Sequence, residues 1–344
     1  ALLNKLLKIR IIMKGKIILM ASVFLFAMGM VGCDKEEIKY GDWIKRSDFE
    51  GVARSDASSF SIGETGYVIG GYDGRDRLTD LWEYNVEQDY WTQKAAFPGT
   101  GRTTATAFSL DGKGYYGTGF DGNNYLNDFW EYDPASNTWT QKADFGGSAR
   151  SGAVSFGLDS KGYLGTGYDG NFLKDMWQYD PLSDTWNQTV SAGGSKRNNA
   201  TAFVYGGKAY LVCGINNASY ITDFWSFDPS TQGWTQLRDI ANKNPDEDYD
   251  DDYAIARSHA LIVNIGNRIF LTCGESGSIR SDTWEYLPDV DLWEATTSFE
   301  GTARTAAVSI HTSTRGFVLT GRSSTYRFDD MFEFLPDEEY VSGF

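Results

Sequence analysis

Six copies of one unit of roughly 50 residues, two aromatic series that keep step with it, and the absence of any long helical period predict an all-β fold. The expected architecture is a six-bladed β-propeller with four antiparallel strands per blade. An arginine opens each unit, at Arg54, Arg102, Arg150, Arg197, Arg257 and Arg304, in steps of 48, 48, 47, 60 and 47 residues. A tryptophan falls near the end of each, at Trp43, Trp91, Trp139, Trp186, Trp234 and Trp293. A second ring always follows an Asp-x pair, at Trp82, Trp130, Trp177, Trp225, Trp284 and Phe332. The two series hold all 11 tryptophans, as expected when every copy fills the same slot in a packed core.

The third unit, Arg150 to Gln188, shows how the strands are read. "SGAVSF" is the first strand, "LDSKG" a turn and "YLGTGY" the second strand. "DGNFLK" is a loop opened by Asp-Gly, "DMWQYD" the third strand, "PLSD" a turn and "TWNQ" the fourth. Apolar alternation bounded by Gly, Pro, Asn and Asp specifies hairpins rather than helices. First strands such as "TTATAF" and "NNATAF" are rich in small residues, which the crowded axis of a propeller requires. The sixth unit lacks a tryptophan strand of its own, but "DWIKRSDFEGVAR" (42–54) copies "TWTQKADFGGSAR" (138–150). The N-terminal strand is therefore expected to complete blade six as its outermost strand, closing the ring without a free edge.

The arginine at the unit start, the glycine pair (intact only as Gly70-Gly71), the following tyrosine and the spaced tryptophan resemble the kelch repeat. The resemblance covers residues 42–344, one propeller domain. It is divergent, because Thr118, Thr166, Cys213, Cys273 and Thr320 replace the first glycine. It implies ligand sites on the face carrying the second-to-third-strand loops. It leaves function open, since the family includes protein-binding modules, sugar-acid mutarotases and copper oxidases.

The N-terminus predicts location. Lys14 and Lys16 precede a short apolar run, Ile17 to Val31, too short for a comfortable membrane span. "MVGC" resembles a bacterial lipobox, which implies cleavage before Cys33 and lipid on its thiol. Residues 1–32 are then an upstream segment plus signal peptide, with Met13 the first plausible start, and 33–41 a tether. "DKEE" after the cysteine resembles the surface-export signal of Bacteroidetes-type lipoproteins. The expectation is an outer-membrane lipoprotein on the cell surface, or alternatively on the periplasmic face. From Cys33 onward the chain carries 26 basic against 47 acidic residues, which argues against nucleic acid and against adhesion to anionic headgroups. Cys213 and Cys273 occupy equivalent slots in neighbouring blades, beyond disulfide reach, and read as buried thiols.

Topology gives the propeller a loop face and a turn face. Six aspartates, Asp80, Asp128, Asp175, Asp223, Asp282 and Asp330, recur in step with the six arginines. Arg–Asp pairing explains both series; a ligand subset is the alternative. The only two histidines sit about five strand residues apart in level, at His259 near the loop face and His311 near the turn face. One metal cannot bind both across roughly 16 Å, so no metal or cofactor is expected, and His259 reads as a packed residue. Symmetry breaks in blades four and five. "ANKNPDEDYDDDYAIA" puts Asp250, Asp251 and Asp252 on the loop face, and "CGESGSIRSD" puts Glu275 and Arg280 near Arg257. The acidic spacing lacks the glycine and glutamate of an EF-type calcium loop. Tyr72, Phe120 and Tyr168 suit carbohydrate, and equally suit packing beneath the loops. The expected role is a binding scaffold, working as a single propeller, for a glycan or protein ligand on the loop face. The alternative is a sialate-type sugar-acid mutarotase using an arginine for the carboxylate and Glu275 for proton transfer.

Overall fold

In a computed structural model, residues 39–242 and 252–341 are described. They contain no helix and form six four-stranded antiparallel sheets in a ring. Blade one runs from Ser58–Ile62 at the axis through Thr65–Ile69 and Leu81–Asn85 to Tyr90–Lys94 at the rim. The next four blades repeat this order. In the third, the inner strand is Val154–Leu158 rather than residues 151–156. The shift has a backbone cause: Gly152 takes a φ of +59°, which ends strand geometry before it.

Blade six closes as expected. Its order from the axis is Val308–His311, Gly316–Leu319, Met331–Glu339 and Tyr40–Lys45, with Trp43 opposite Phe334. Trp43 is fully buried, stacked on Phe334 at 4.6 Å and edge-on to Phe299 at 5.0 Å. The buried Glu333 carboxylate draws Arg46, just past the N-terminal strand, and Arg315 of blade six together, and Arg315 also donates to the Val86 carbonyl of blade one. The other rim tryptophans also lie between blades. Trp139 and Trp186 donate to the carbonyls of Ala95 and Ala143 in the preceding linkers, and Trp91 and Trp293 are buried. Trp139, Trp186 and Trp234 are half-buried.

The six clamp arginines are almost wholly buried. Arg102 is typical: its two terminal nitrogens meet both oxygens of Asp128 at 2.6 and 2.7 Å, Nε donates to Thr100 O, and Nη1 donates to Thr118 O. Arg54, Arg150 and Arg304 repeat the two-pronged contact with Asp80, Asp175 and Asp330. Arg197 and Arg257 bond Asp223 and Asp282. Trp82, Trp130, Trp177 and Trp284 donate to the same aspartates, which explains why an indole stands two residues beyond the Asp in those four blades. Pairing therefore accounts for both series.

The clamp also explains the eroded glycine pair. Its first position, occupied by Gly70, Thr118, Thr166, Cys213, Cys273 and Thr320, lies at φ +57° to +66°, and its carbonyl accepts from the clamp arginine in every blade. A side chain can be held there at a cost of roughly 1–2 kcal/mol. The second position is always glycine, at φ +88° to +101°. A Cβ on Gly71 would lie 2.8 Å from Ser55 O, and one on Gly274 2.6 Å from Ser258 O. Each of these glycines donates its N–H to the clamp arginine carbonyl of the next blade, as Gly71 does to Arg102 and Gly321 to Arg54. Cys213 and Cys273 are buried free thiols, pushed up to about 11 by burial.

Burial alone would raise the clamp carboxyls, but the arginine and indole donors reverse it. Asp80, Asp128 and Asp175 sit below the usual carboxylate range, and Asp282 lies at about 2. Depressed carboxyls stabilise the fold fully above their unfolded value near pH 4 and lose that contribution as pH falls through the folded values. His259 and His311 are lowered by burial, so a shallower loss starts below about pH 6.5. Melting temperature against pH should therefore decline gently below 6.5 and steeply between about 4 and 2. Complete unfolding above pH 4 would contradict this.

Candidate functional site

Three positions recur on the loop face of every blade. The innermost stands two residues beyond each clamp arginine: Asp56, Thr104, Gly152, Asn199, His259 and Ala306. All six have φ between +49° and +59°. Five backbone hydrogen bonds of 2.8–3.0 Å pass around the axis, from the N–H of Asp56, Thr104, Gly152, Asn199 and His259 to the preceding member's carbonyl. Because the backbone makes these bonds, the side chains are free to differ. Directly beneath lies an axial cavity of about 450 Å³, lined by small inner-strand residues such as Ala57, Ser58, Thr106, Ser155 and Thr201.

The second position follows the invariant glycine: Tyr72, Phe120, Tyr168, Ile215, Glu275 and Arg322. Each is fixed by backbone bridges to the residue after a clamp arginine, Ser258 to Glu275 and Thr305 to Arg322 among them. The third lies across the loop hairpin: Arg77, Tyr125, Phe172, Tyr220, Ile279 and Arg327. The hairpin tips of blades one to three are held by Asp73, Asp121 and Asp169, whose carboxylates accept backbone N–H groups two or three residues on.

Blades five and six place Glu275 and Arg322 where blades one to three carry rings. They stand beside His259, which is half-buried. Burial lowers the imidazole, the Asp56 and Glu275 carboxylates oppose that, and Arg322 reinforces it; the net shift is downward, leaving His259 neutral at pH 7. Among the described residues, His259 Nδ1, Asn198 Oδ1 and Thr305 Oγ1 are buried without a protein hydrogen-bond partner. Arg322 forms no ion pair among the described residues. The mouth thus combines an available guanidinium, two carboxylates and a neutral imidazole around the axis. Among the described residues no group of three or more His, Cys, Asp or Glu could hold a metal.

The sequence-based candidates separate on this geometry. Glu275 lies in the mouth. Arg257 is fully buried, and its donors go to Asp282 and to the carbonyls of Ala254, Ile255 and Cys273, so it is a clamp residue. Arg280 is ion-paired to Asp282 at 2.8 Å and supports that clamp. Asp252 is exposed and accepts from Asn242, whereas Asp250, Asp251 and Cys33 lie outside the described residues. Tyr72, Phe120 and Tyr168 occupy equivalent half-buried places on the loop face. The sequence reading singled out neither Asp56 nor Arg322, and its reading of His259 as a packed residue agrees with the burial of the imidazole. Comparing the six units column by column exposes them: Tyr, Phe, Tyr, Ile, Glu, Arg after the glycine, and Asp, Thr, Gly, Asn, His, Ala two residues after the arginine.

Fold and repeats together define a six-bladed β-propeller, and parts of the chain match kelch-repeat models. Residues 42–152 match the family model described as the KLHDC2/KLHL20/DRC7 Kelch-repeats domain, and residues 196–240 match the Kelch motif. The solved structure of YjhT is similar over 83% of this chain and 95% of that one, with a TM-score of 0.71 and 16% identity. At that identity the likeness is one of fold. No curated protein matches the chain. No helix among the described residues is long and apolar enough to cross a membrane.

Proposed function

We propose that this propeller binds an acidic carbohydrate at the axial mouth of its loop face. The observation that carries the reading is Arg322, a guanidinium without an ion-pair partner among the described residues, set beside Glu275 and His259 where other blades have rings. A planar fork of donors suits a carboxylate. Calorimetry with N-acetylneuraminic acid, glucuronic acid and glucose tests it. The two acids should bind and glucose should not, and Arg322→Ala should weaken acid binding at least tenfold. Equal affinity for glucose, or an unaffected Arg322→Ala, would overturn the reading.

One observation favours a catalytic version, a sugar-acid mutarotase. His259 is neutral at pH 7 and faces two carboxylates, a pairing suited to moving a proton to or from an anomeric oxygen. Exchange NMR between anomers decides it. His259→Ala or Glu275→Gln should slow exchange more than it weakens binding. Exchange no faster than in buffer would leave the binding role alone.

The sequence around Cys33 supports a lipid anchor in the outer membrane, on the surface or the periplasmic face. Cys33→Ser should move the protein from the membrane to the soluble fraction with its propeller folded. Retention in the membrane would overturn the anchor.

A further inference from the structure

We propose that the ligand is a chain of acidic sugars, and that it leaves the mouth along an arc that carries guanidiniums and a ring in blades six and one and continues as a run of aromatic rings through blades two and three. This rests on the acidic-carbohydrate reading above and extends it from one sugar to several.

The arc is continuous. The Arg327 guanidinium lies 4.7 Å from the Tyr72 ring, and Arg77 lies 5.4 Å from the same ring and 5.5 Å from Phe120. Phe120 meets Tyr125 at 5.4 Å, Tyr125 meets Tyr168 at 5.9 Å, and Tyr168 meets Phe172 at 5.0 Å. Arg322 sits at its inner end, bridged through the backbone to Arg327. Every ring and guanidinium in the series is half-buried, so each keeps solvent-facing surface.

The two arginines are held but not satisfied. Among the described residues, Nε of Arg77 and Nε of Arg327 are buried with no hydrogen-bond partner, while Arg327 Nη1 donates to the Thr325 carbonyl. Neither side chain forms an ion pair among the described residues, although most other guanidiniums here do. Asp73 and Asp121 lie near enough to feel Arg327 and Arg77 respectively. Their carboxylates are engaged by the backbone amides of their own hairpin tips. Arg77 is pinned between two aromatic rings and Arg327 lies against one, so the forks are oriented before any ligand arrives, which limits the entropy lost on binding.

The pattern selects the partner. Six-membered aromatic rings match the faces of pyranose rings, and the array holds several in succession, more than one sugar can cover. Guanidiniums at intervals match carboxylates borne on successive sugars. A nucleic acid fits poorly: it carries one charge per about 1.7 Å of duplex axis, and would approach a chain whose formal net charge is −16 with three available arginines at this face.

The experiment compares galacturonic acid with its dimer, tetramer and hexamer, the fully methyl-esterified hexamer and single-stranded oligo-dT, by calorimetry on the whole protein. The hexamer should bind at least tenfold more tightly than the monomer, and esterification should remove that gain. Arg77→Gln with Arg327→Gln should return the hexamer to the monomer's affinity, and Phe172→Ala should remove part of the gain; unchanged melting curves confirm that both variants fold. Affinity independent of length, or a gain that survives the double substitution, overturns the arc while leaving the mouth reading intact. Length-dependent binding that ignores Arg322→Ala upholds the arc and overturns the mouth. Binding of oligo-dT as tight as that of the hexamer overturns the sugar assignment.

Discussion

The buried arginine at the start of each blade is the constraint on which the rest depends. A guanidinium that is 0–1% exposed must have its charge and its donors met inside the protein. Here an aspartate from the same blade takes the charge, and two to four backbone carbonyls take the remaining donors. One of those carbonyls belongs to a residue held in the left-handed region, so the clamp fixes the turn that leaves the second strand. The glycine that follows then reaches the arginine carbonyl of the next blade. A side-chain contact within one blade thereby sets the main-chain contact between two, and six repeats of it close the ring.

This division of labour explains how a repetitive chain can carry one asymmetric site. Clamp residues cannot vary without leaving a buried charge unmet. Positions one step outward are held only by backbone bonds, so their side chains are free to change. Blades one to three use that freedom for rings. Blades five and six use it for Glu275 and Arg322, and the innermost ring uses it for Asp56 and His259. The mouth is chemically singular because its scaffold is indifferent to what the scaffold displays.

The fold was legible in the sequence because its determinants are periodic. Blade number, strand order, the closing strand and the Arg–Asp pairing all follow from residues that recur in step. The site was less legible because it consists of departures from the period, and a departure is visible only when each column of the repeat is read separately. The long acidic insertion drew attention as the largest break in register. Arg280 stands out because the blade-five loop "CGESGSIRSD" departs from the repeat, and Arg257 because it lies next to both departures, whereas both serve the blade-five clamp. Arg322 escaped because a basic residue in a degraded repeat resembles erosion until the chain is folded and its neighbours are His259 and Glu275. Strand ends were displaced by about three residues in blade three for a related reason: nothing in "SGA" announces that Gly152 turns left-handed.

The most direct test of this account is the denaturant stability of Asp128→Asn beside that of Asp48→Asn. Asp48 pairs with Lys45 at the surface, where both side chains are about half exposed, and its loss should cost at most about 1 kcal/mol. Asp128→Asn leaves Arg102 buried with its charge unmet, which should cost about 3–5 kcal/mol. Similar losses for the two variants would contradict the claim that the clamp holds the propeller together.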